Sequence, residues 1–373
     1  MASEPLSRNR AIAVWSLVVL ATLILFVGSL TVWVKRQALD TDAWTDASGE
    51  LLANDEIRSQ LSIYLVDTLF DSTDATNRIA ETLPAERRGL APLIAGALRD
   101  VGIRAADRFL ESTRAQDLWE AANRRAHENL IAVLEGEDVR RFTTEEGTVA
   151  LDLTPIVERV GARLGVEEQL DPNAGMITIL ESEELDTAQT SLKVIKALSA
   201  LVILLVLVLY GLAIYLAEGH RRRILRATAV CFILVGILLL VAQRVIGDAV
   251  VDSIIEADTI RDAGRAAWAI STELLRGIAI ALVGYGVVIL VGAWLAGPTR
   301  PATATRRWLA PSFRDQAWLV YAAVAAAFLL VLAWGPTVAT RQLWGIVLLG
   351  GLLFFGVYML QRQTLSEFPE SRT

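Results

Sequence analysis

Residues 11–34 read AIAVWSLVVLATLILFVGSLTVWV, a run without one ionisable side chain that ends at Lys35-Arg36. At 1.5 Å per helical residue such a run crosses a hydrocarbon core about 30 Å thick. Five more stretches have the same character: Leu198–Leu216, Ala227–Val241, Gly277–Leu295, Trp318–Trp334 and Trp344–Leu360. Between the first two of the six lies a long charged segment. The fold class expected is therefore an all-α membrane protein, with six transmembrane helices and a mainly helical extracytoplasmic domain containing a small β-hairpin. The first run is too long for a cleaved secretory signal and no small-x-small site precedes Lys35, so it reads as an uncleaved anchor.

Composition supports two solvents in one chain. A mean hydropathy of +0.45 with 54% hydrophobic residues is high for a soluble protein, yet 21% charged residues is high for a pure membrane bundle. The net charge of −7 is carried by the segment from Lys35 to Thr190. Short loops rich in Arg are retained in the cytoplasm. Arg8 and Arg10, Arg221–Arg223 with Arg226, and Arg300, Arg306, Arg307 and Arg314 therefore set the orientation, against the weaker vote of Lys35, Arg36, Lys193 and Lys196. Trp33, Trp294, Trp318, Trp334 and Trp344 at the span ends read as interfacial belts.

The expected order starts with a cytoplasmic N-terminus (1–10), helix 1 (11–34), the acidic extracytoplasmic domain (35–192), helix 2 (193–216) and a basic loop (217–226). Helix 3 (227–245), an acidic helical segment outside (246–272), helix 4 (273–296) and a second basic loop (297–316) follow. Helix 5 (317–335), a short outer loop (336–342), helix 6 (343–361) and a cytoplasmic tail (362–373) complete it. The localisation expected is the plasma membrane, multi-pass, with both termini cytoplasmic. Cys231 is the only cysteine, so no intramolecular disulfide forms and the outer domain holds itself by packing.

Within that domain, Leu51, Leu52, Ile57, Leu61, Leu65, Leu69 and Phe70 repeat with helical spacing, and Leu118, Trp119, Ala122, Ala126, Leu130, Val133 and Leu134 form a second apolar stripe. From Asp138 to Leu153 the period changes. Arg141–Thr144 and Thr148–Leu153 flank Glu145-Glu146-Gly147 as a β-hairpin, with Met176–Leu180 as a candidate third strand. Thr154-Pro155 offers a cap and an N1 proline for a helix to about Leu164. A helix from about Glu183 is expected to run unbroken into helix 2.

The stretches Leu39–Trp44 (LDTDAW), Trp119–His127 (WEAANRRAH), Gly147–Pro155 (GTVALDLTP), Glu181–Gln189 (ESEELDTAQ) and Trp294–Pro298 (WLAGP) resemble a family of actinobacterial integral membrane proteins. The resemblance extends over nearly the whole chain. It implies the architecture above and an actinobacterial envelope location, and it supplies no catalytic residues.

Chemistry is sparse. His127 and His220 are the only histidines and fall on opposite sides of the expected membrane, so a His- or Cys-based metal site within one chain lacks ligands. No Gly-x-Ser-x-Gly, Walker A or Gly-x-Gly-x-x-Gly motif is present. Gly284-Tyr285-Gly286 reads as close helix packing rather than an ion filter. The acids around Asp40–Asp46 and Glu181–Asp186 lack calcium-loop spacing and read as solvated surface. Neither a metal nor a cofactor is expected, and no catalytic residue is assigned. No span carries Asp, Glu, Lys, Arg or His at its centre, as ion-coupled transport usually requires.

The expected function is a non-enzymatic envelope scaffold or sensor acting through the outer domain. Trp119, His127 and Asp152 are its candidate interaction residues. The alternative is a permease or lipid-handling transporter with the outer domain as lid, its path marked by Gln243, Arg244 and Tyr285. The expected partners are the lipid bilayer and a protein at the outer domain, with an oligomer possible through Ala- and Gly-rich faces, and not nucleic acid.

Overall fold

A computed structural model describes residues 7–135, 149–152, 176–180, 182–255, 258–334 and 343–368. The chain divides into two compact units, residues 1–33 with 200–373 and residues 34–199. The described residues are mainly helical, and three of the helices are long and apolar enough to cross a membrane: α1 (Arg8–Ala38), α8 (Arg221–Ile254) and α10 (Glu273–Leu295). A fourth joins them if α11 (Arg300–Asp315) and α12 (Ala317–Trp334), bent by 111°, count as one broken span.

The described helices thus do not support the expected count of six. Helix 2 corresponds to the end of α7 (Ser182–Leu216), where the apolar described stretch is only Leu201–Leu216. Helix 6 falls within α13 (Leu343–Glu367). The hairpin is not supported either. Strand β1 (Val149–Asp152) pairs antiparallel with β2 (Met176–Leu180), which lies well beyond a tight turn in sequence, while the expected first arm and the expected helix after Pro155 lie outside the described residues. The predicted unbroken run into helix 2 is present as the continuous α7.

The first unit is built by apolar surfaces meeting through small residues. Val14, Val18 and Ala21 of α1 are buried with Val206, Tyr210 and Ala213 of α7, and Thr22 Oγ1 lies 2.9 Å from the Tyr210 hydroxyl. Further along α1, Leu25, Phe26, Leu30 and Trp33 pack on Val235 and Leu239 of α8 and on Leu275, Ala279 and Leu282 of α10. Helices α8 and α10 run antiparallel with their backbones nearly touching. A Cβ on Gly236 would lie 2.6 Å from the Ala279 carbonyl oxygen, and one on Gly286 would lie 2.7 Å from that of Ala229. Only glycine permits that approach, which gains dispersion over the whole seam. Gly284 has open space beside it, so the expected packing role falls on Gly286 alone.

The second unit is a helical stack. After α1, α2 (Thr41–Ala53) starts where the Asp40 carboxylate accepts from the Ala43 amide, and α3 (Asp55–Ser72) where the Asn54 side chain accepts from that of Ile57. These caps satisfy donors that a helix start leaves open. Then come α4 (Ala75–Thr82), a 3₁₀ turn (Ala85–Leu90), α5 (Ala91–Glu111) and α6 (Thr113–Glu135). In α3 the inner face is turned from the expected one: Arg58, Ser62 and Val66 are buried, Ile57, Leu61 and Phe70 are half-buried, and Leu65 and Leu69 are exposed. Asp107 and Asp67 explain it, because an inward Arg58 and an outward-paired Arg99 tie α3 to α5 by ions rather than by leucines. Arg58 Nε donates to Asp107 at 3.2 Å, and Arg99 is bidentate on Asp67 at 2.5 and 2.7 Å.

Candidate functional site

Three polar clusters among the described residues carry the site arguments, one in the second unit and two in the first. On α6, His127 is 3% exposed. Its Nε2 lies 3.2 Å from the Ala38 carbonyl, which can only accept, so Nε2 carries a hydrogen, and in the neutral ring Nδ1 accepts from the Thr41 hydroxyl at 3.0 Å. Trp44 stacks on the imidazole at 5.1 Å with planes 21° apart. Two turns before His127, the Trp119 indole donates to the Ser48 carbonyl at 2.8 Å, and between them Arg124 pairs with Asp42 at 2.7 Å. Sequence spacing explains the grouping, since positions 119, 123 or 124, and 127 share one helix face. The arrangement clamps α2 to α6, and it buries the histidine rather than presenting it. Asp152 closes β1, where it pairs with Met176 in register.

The second cluster lies where α9 (Asp258–Ser271) turns into α10. The Gln243 amide donates to the Thr272 carbonyl at 3.2 Å and to its hydroxyl oxygen at 2.7 Å, while the Trp268 indole donates to the Gln243 carbonyl at 3.0 Å. Gly247 sits directly against that indole, with no space for a side chain. Gln243 therefore fastens a one-residue break between two helices. Arg244 is exposed. The glycine contacts put Tyr285 level with Ile233, ten residues from Gln243 along α8, which is about 15 Å. The three residues expected to mark one path are not brought together.

The third cluster was not foreseen. Arg306, expected in a loop, is a helical residue only 1% exposed. Its Nη1 donates to the Leu295 carbonyl and, at 2.8 Å, to that of Gly297, while Nε and Nη2 grip the Glu367 carboxylate at 2.7 and 2.9 Å. One guanidinium thus caps the C-terminus of α10, where free carbonyls and the helix dipole favour a cation, and ties it to α13. The Gln363 amide donates to Ala296 O at 3.2 Å and Arg226 to Ala293 O at 3.3 Å, so the same helix end is held from two further sides. The signal was available: Thr299-Arg300-Pro301 is a helix start with proline in its first turn, and Ala302, Arg306, Ala310 and Phe313 recur at helical spacing.

Among the described residues no three or more His, Cys, Asp or Glu side chains come together to hold a metal ion. The fold and these clusters define a helical membrane protein with a separate, ion-paired helical unit. No family model, curated protein or solved structure matches the chain.

Proposed function

We propose that the chain is a multi-pass envelope protein whose second unit docks a protein partner as a non-enzymatic scaffold or sensor. The observation that carries this reading is the outer surface of α5. Leu93, Ile94, Leu98, Val101 and Phe109 are exposed at 72, 42, 53, 54 and 57%, and their spacing gathers them on one broad face. Exposed large apolar side chains gathered on one side of a helix outside a membrane span, here shared with the exposed Arg104 and Arg108, are a mark of interaction sites.

The topology proposed is the six-span order given above, with both termini cytoplasmic and the second unit outside. Its support is the sorting of charge within the first unit. The start of α1, the turn before α8, the end of α10, α11 and the end of α13 converge through Arg10 on Leu216 and Glu218, Arg226 on Ala293, and Arg306 on Leu295 and Glu367. Every Arg-rich segment of the first unit thus shares one end, as cytoplasmic retention of positive charge requires. The resemblance of the five quoted stretches is what suggests an actinobacterial envelope as its setting. A permease ranks second, because the Gln243 amide is engaged by Thr272.

Photo-crosslinking in cells from Leu98 and Trp119 tests the function. The expected result is one reproducible envelope protein, lost when Leu93→Asp and Val101→Asp are introduced together. Crosslinks to bulk lipid alone, or unchanged by those substitutions, would contradict it.

A further inference from the structure

The start of α1, the end of α7 and the start of α8 meet at one corner of the first unit. Val14, Ala217 and Ile224 are buried there together, and Arg10 donates to the Leu216 carbonyl at 2.7 Å. Gly219, at φ 77°, lets the chain reverse between Glu218 and the arginine run, a conformation that a residue with a Cβ rarely adopts. Arg8, Arg10, Arg221, Arg222, Arg223 and Arg226 therefore lie within about two helical turns of one point. In residues 7–11 and 216–226 Glu218 is the one carboxylate, and Arg10 takes it at 2.9 Å. Arg226 uses Nη2 on the Ala293 carbonyl, a neutral acceptor. Arg8, Arg221, Arg222 and Arg223 are exposed, and among the described residues no ion pair or hydrogen bond engages their side chains.

We infer that this corner binds an anionic phospholipid of the adjoining leaflet, its phosphate held among Arg8, Arg221, Arg222 and Arg223 and its acyl chains laid along α1 and α8. Charge complementarity names the headgroup. Cytoplasmic retention accounts for positive residues here, but not for their standing together with so little counter-charge, and gathered guanidiniums repel one another until anions reach them. Depth selects a lipid over a soluble phosphate. The apolar runs of the two spans start at Ala11 and Ala227, within two turns of these arginines, which sets the guanidiniums at headgroup level. Beyond them the outward surface is apolar, with Ile12 and Trp15 of α1 and Val230 and Leu234 of α8 exposed. A phospholipid covers both the charge and that surface, whereas free phosphate meets only the charge. Three successive helical residues sweep about 200°, so Arg221–Arg223 form a collar open to a ligand that diffuses in the membrane plane. At the same turn Arg226 Nε and His220 Nδ1 are shielded and have no hydrogen-bond partner among the described residues, whereas buried polar groups nearly always have one. A phosphate oxygen is an acceptor that Arg226 Nε can use. The inference rests on the membrane-spanning reading of α1 and α8 and not on the scaffold function.

The test reconstitutes the full chain in phosphatidylcholine bilayers at low ionic strength, with a trace of phosphatidylglycerol or of phosphatidylcholine carrying the same nitroxide on an acyl chain. Lipid held at the protein surface gives a motionally restricted component in the electron paramagnetic resonance spectrum, and the ratio of the two restricted fractions reads the selectivity. The expected result is a preference for phosphatidylglycerol of about twofold or more, averaged over all the lipids that touch the protein. The combined Arg8→Gln, Arg221→Gln, Arg222→Gln and Arg223→Gln substitution brings that ratio close to one. The pair Arg221→Gln with Arg222→Gln, which breaks no contact, brings it part of the way and serves if the fourfold variant fails to fold. Removing as many charges from the second unit, by Arg87→Gln, Arg88→Gln, Arg104→Gln and Arg108→Gln, leaves the ratio unchanged, and so does inorganic phosphate set against chloride of equal ionic strength. Equal restriction of the two lipids, a ratio indifferent to the arginine pair, a ratio that falls as far in the second-unit variant, or one abolished by inorganic phosphate would overturn the inference. No restricted component with either lipid would remove the membrane reading of α1 and α8, and the inference with it.

Discussion

The α8–α10 pair of the first unit and the α3–α5 pair of the second solve the same packing problem with opposite chemistry. In α8–α10 the seam is glycine against backbone, with Gly236 and Gly286 on reciprocal sides, and Arg226 on the Ala293 carbonyl is the charged contact at its end. In α3–α5 the seam is Arg58 with Asp107 and Arg99 with Asp67, while Leu65 and Leu69 of α3 are exposed. The difference follows from solvent. Hydrocarbon gives apolar side chains no reason to leave it, so helices there gain by close approach, whereas water lets ion pairs form at the rim of a seam and offers a reward for covering apolar surface. The uncovered leucines of the second unit are therefore its anomaly and the basis of its proposed role.

The largest effect is expected where steric room is least. Gly236→Leu should cost about 3 kcal/mol or more, because its side chain meets the Ala279 carbonyl and Val283 rather than a flexible neighbour. Detergent-induced unfolding of the full chain in mixed micelles measures it, and a cost near zero would mean that α8 and α10 do not pack through glycine.

Arg58→Met comes next, at about 1–3 kcal/mol. It removes a buried guanidinium that serves the Ala53 carbonyl and two carboxylates, but the carboxylates left behind are partly or largely exposed and can rehydrate. Thermal unfolding followed by circular dichroism reads this loss, and an unchanged transition would show the ionic seam to be ornamental.

The pH response is smaller and specific to the second unit. Hydrogen bonding from Arg99, opposed by partial burial and aided by its charge, holds the Asp67 carboxylate below its ordinary range. A depressed folded pKa contributes stability above the unfolded value of about 4, and that stability is lost as pH falls through the folded value. Unfolding scans from about pH 6 to about pH 3 should lose stability only below about pH 4, and Asp67→Asn should flatten part of that loss. An identical acid limb in the variant would exclude the pair as its source. Smallest of all, Gly284→Ala should change stability by less than about 0.5 kcal/mol, since nothing lies within 4 Å of its added Cβ. A large penalty there would shift the seam away from Gly286.

Most long helices were legible because their apolar runs are uninterrupted, and α1, α8 and α10 cover the expected first, third and fourth spans. The apolar repeat read as one helix from Leu51 to Phe70 is in fact broken at Asn54, which ends α2 and caps α3, and His127, a candidate interaction residue by sequence, is buried within α6. The inner face of α3 was not legible: its leucines outnumber Arg58 and Asp67, and periodicity weighs residues by polarity alone, whereas the partners that turn α3 sit some 30 to 50 positions away on α5. Arg306 was misread for a related reason. A positive charge in a short loop already had an explanation in topology, and its burial depends on Glu367, 61 positions later. The Gln243 clamp was invisible because Thr272 reaches it only through the tertiary turn at the α9–α10 break.

Accessibility of cysteines to a membrane-impermeant maleimide in intact cells tests the account most directly, on a Cys231→Ser background. One cysteine replaces Thr68 on α3 and another replaces Ser312 on α11, both exposed positions. The account predicts labelling of the Thr68→Cys protein from outside and labelling of the Ser312→Cys protein only after permeabilisation. Labelling of both from outside, or of Ser312→Cys alone, would contradict a membrane that separates the ion-paired unit from the arginine-rich end.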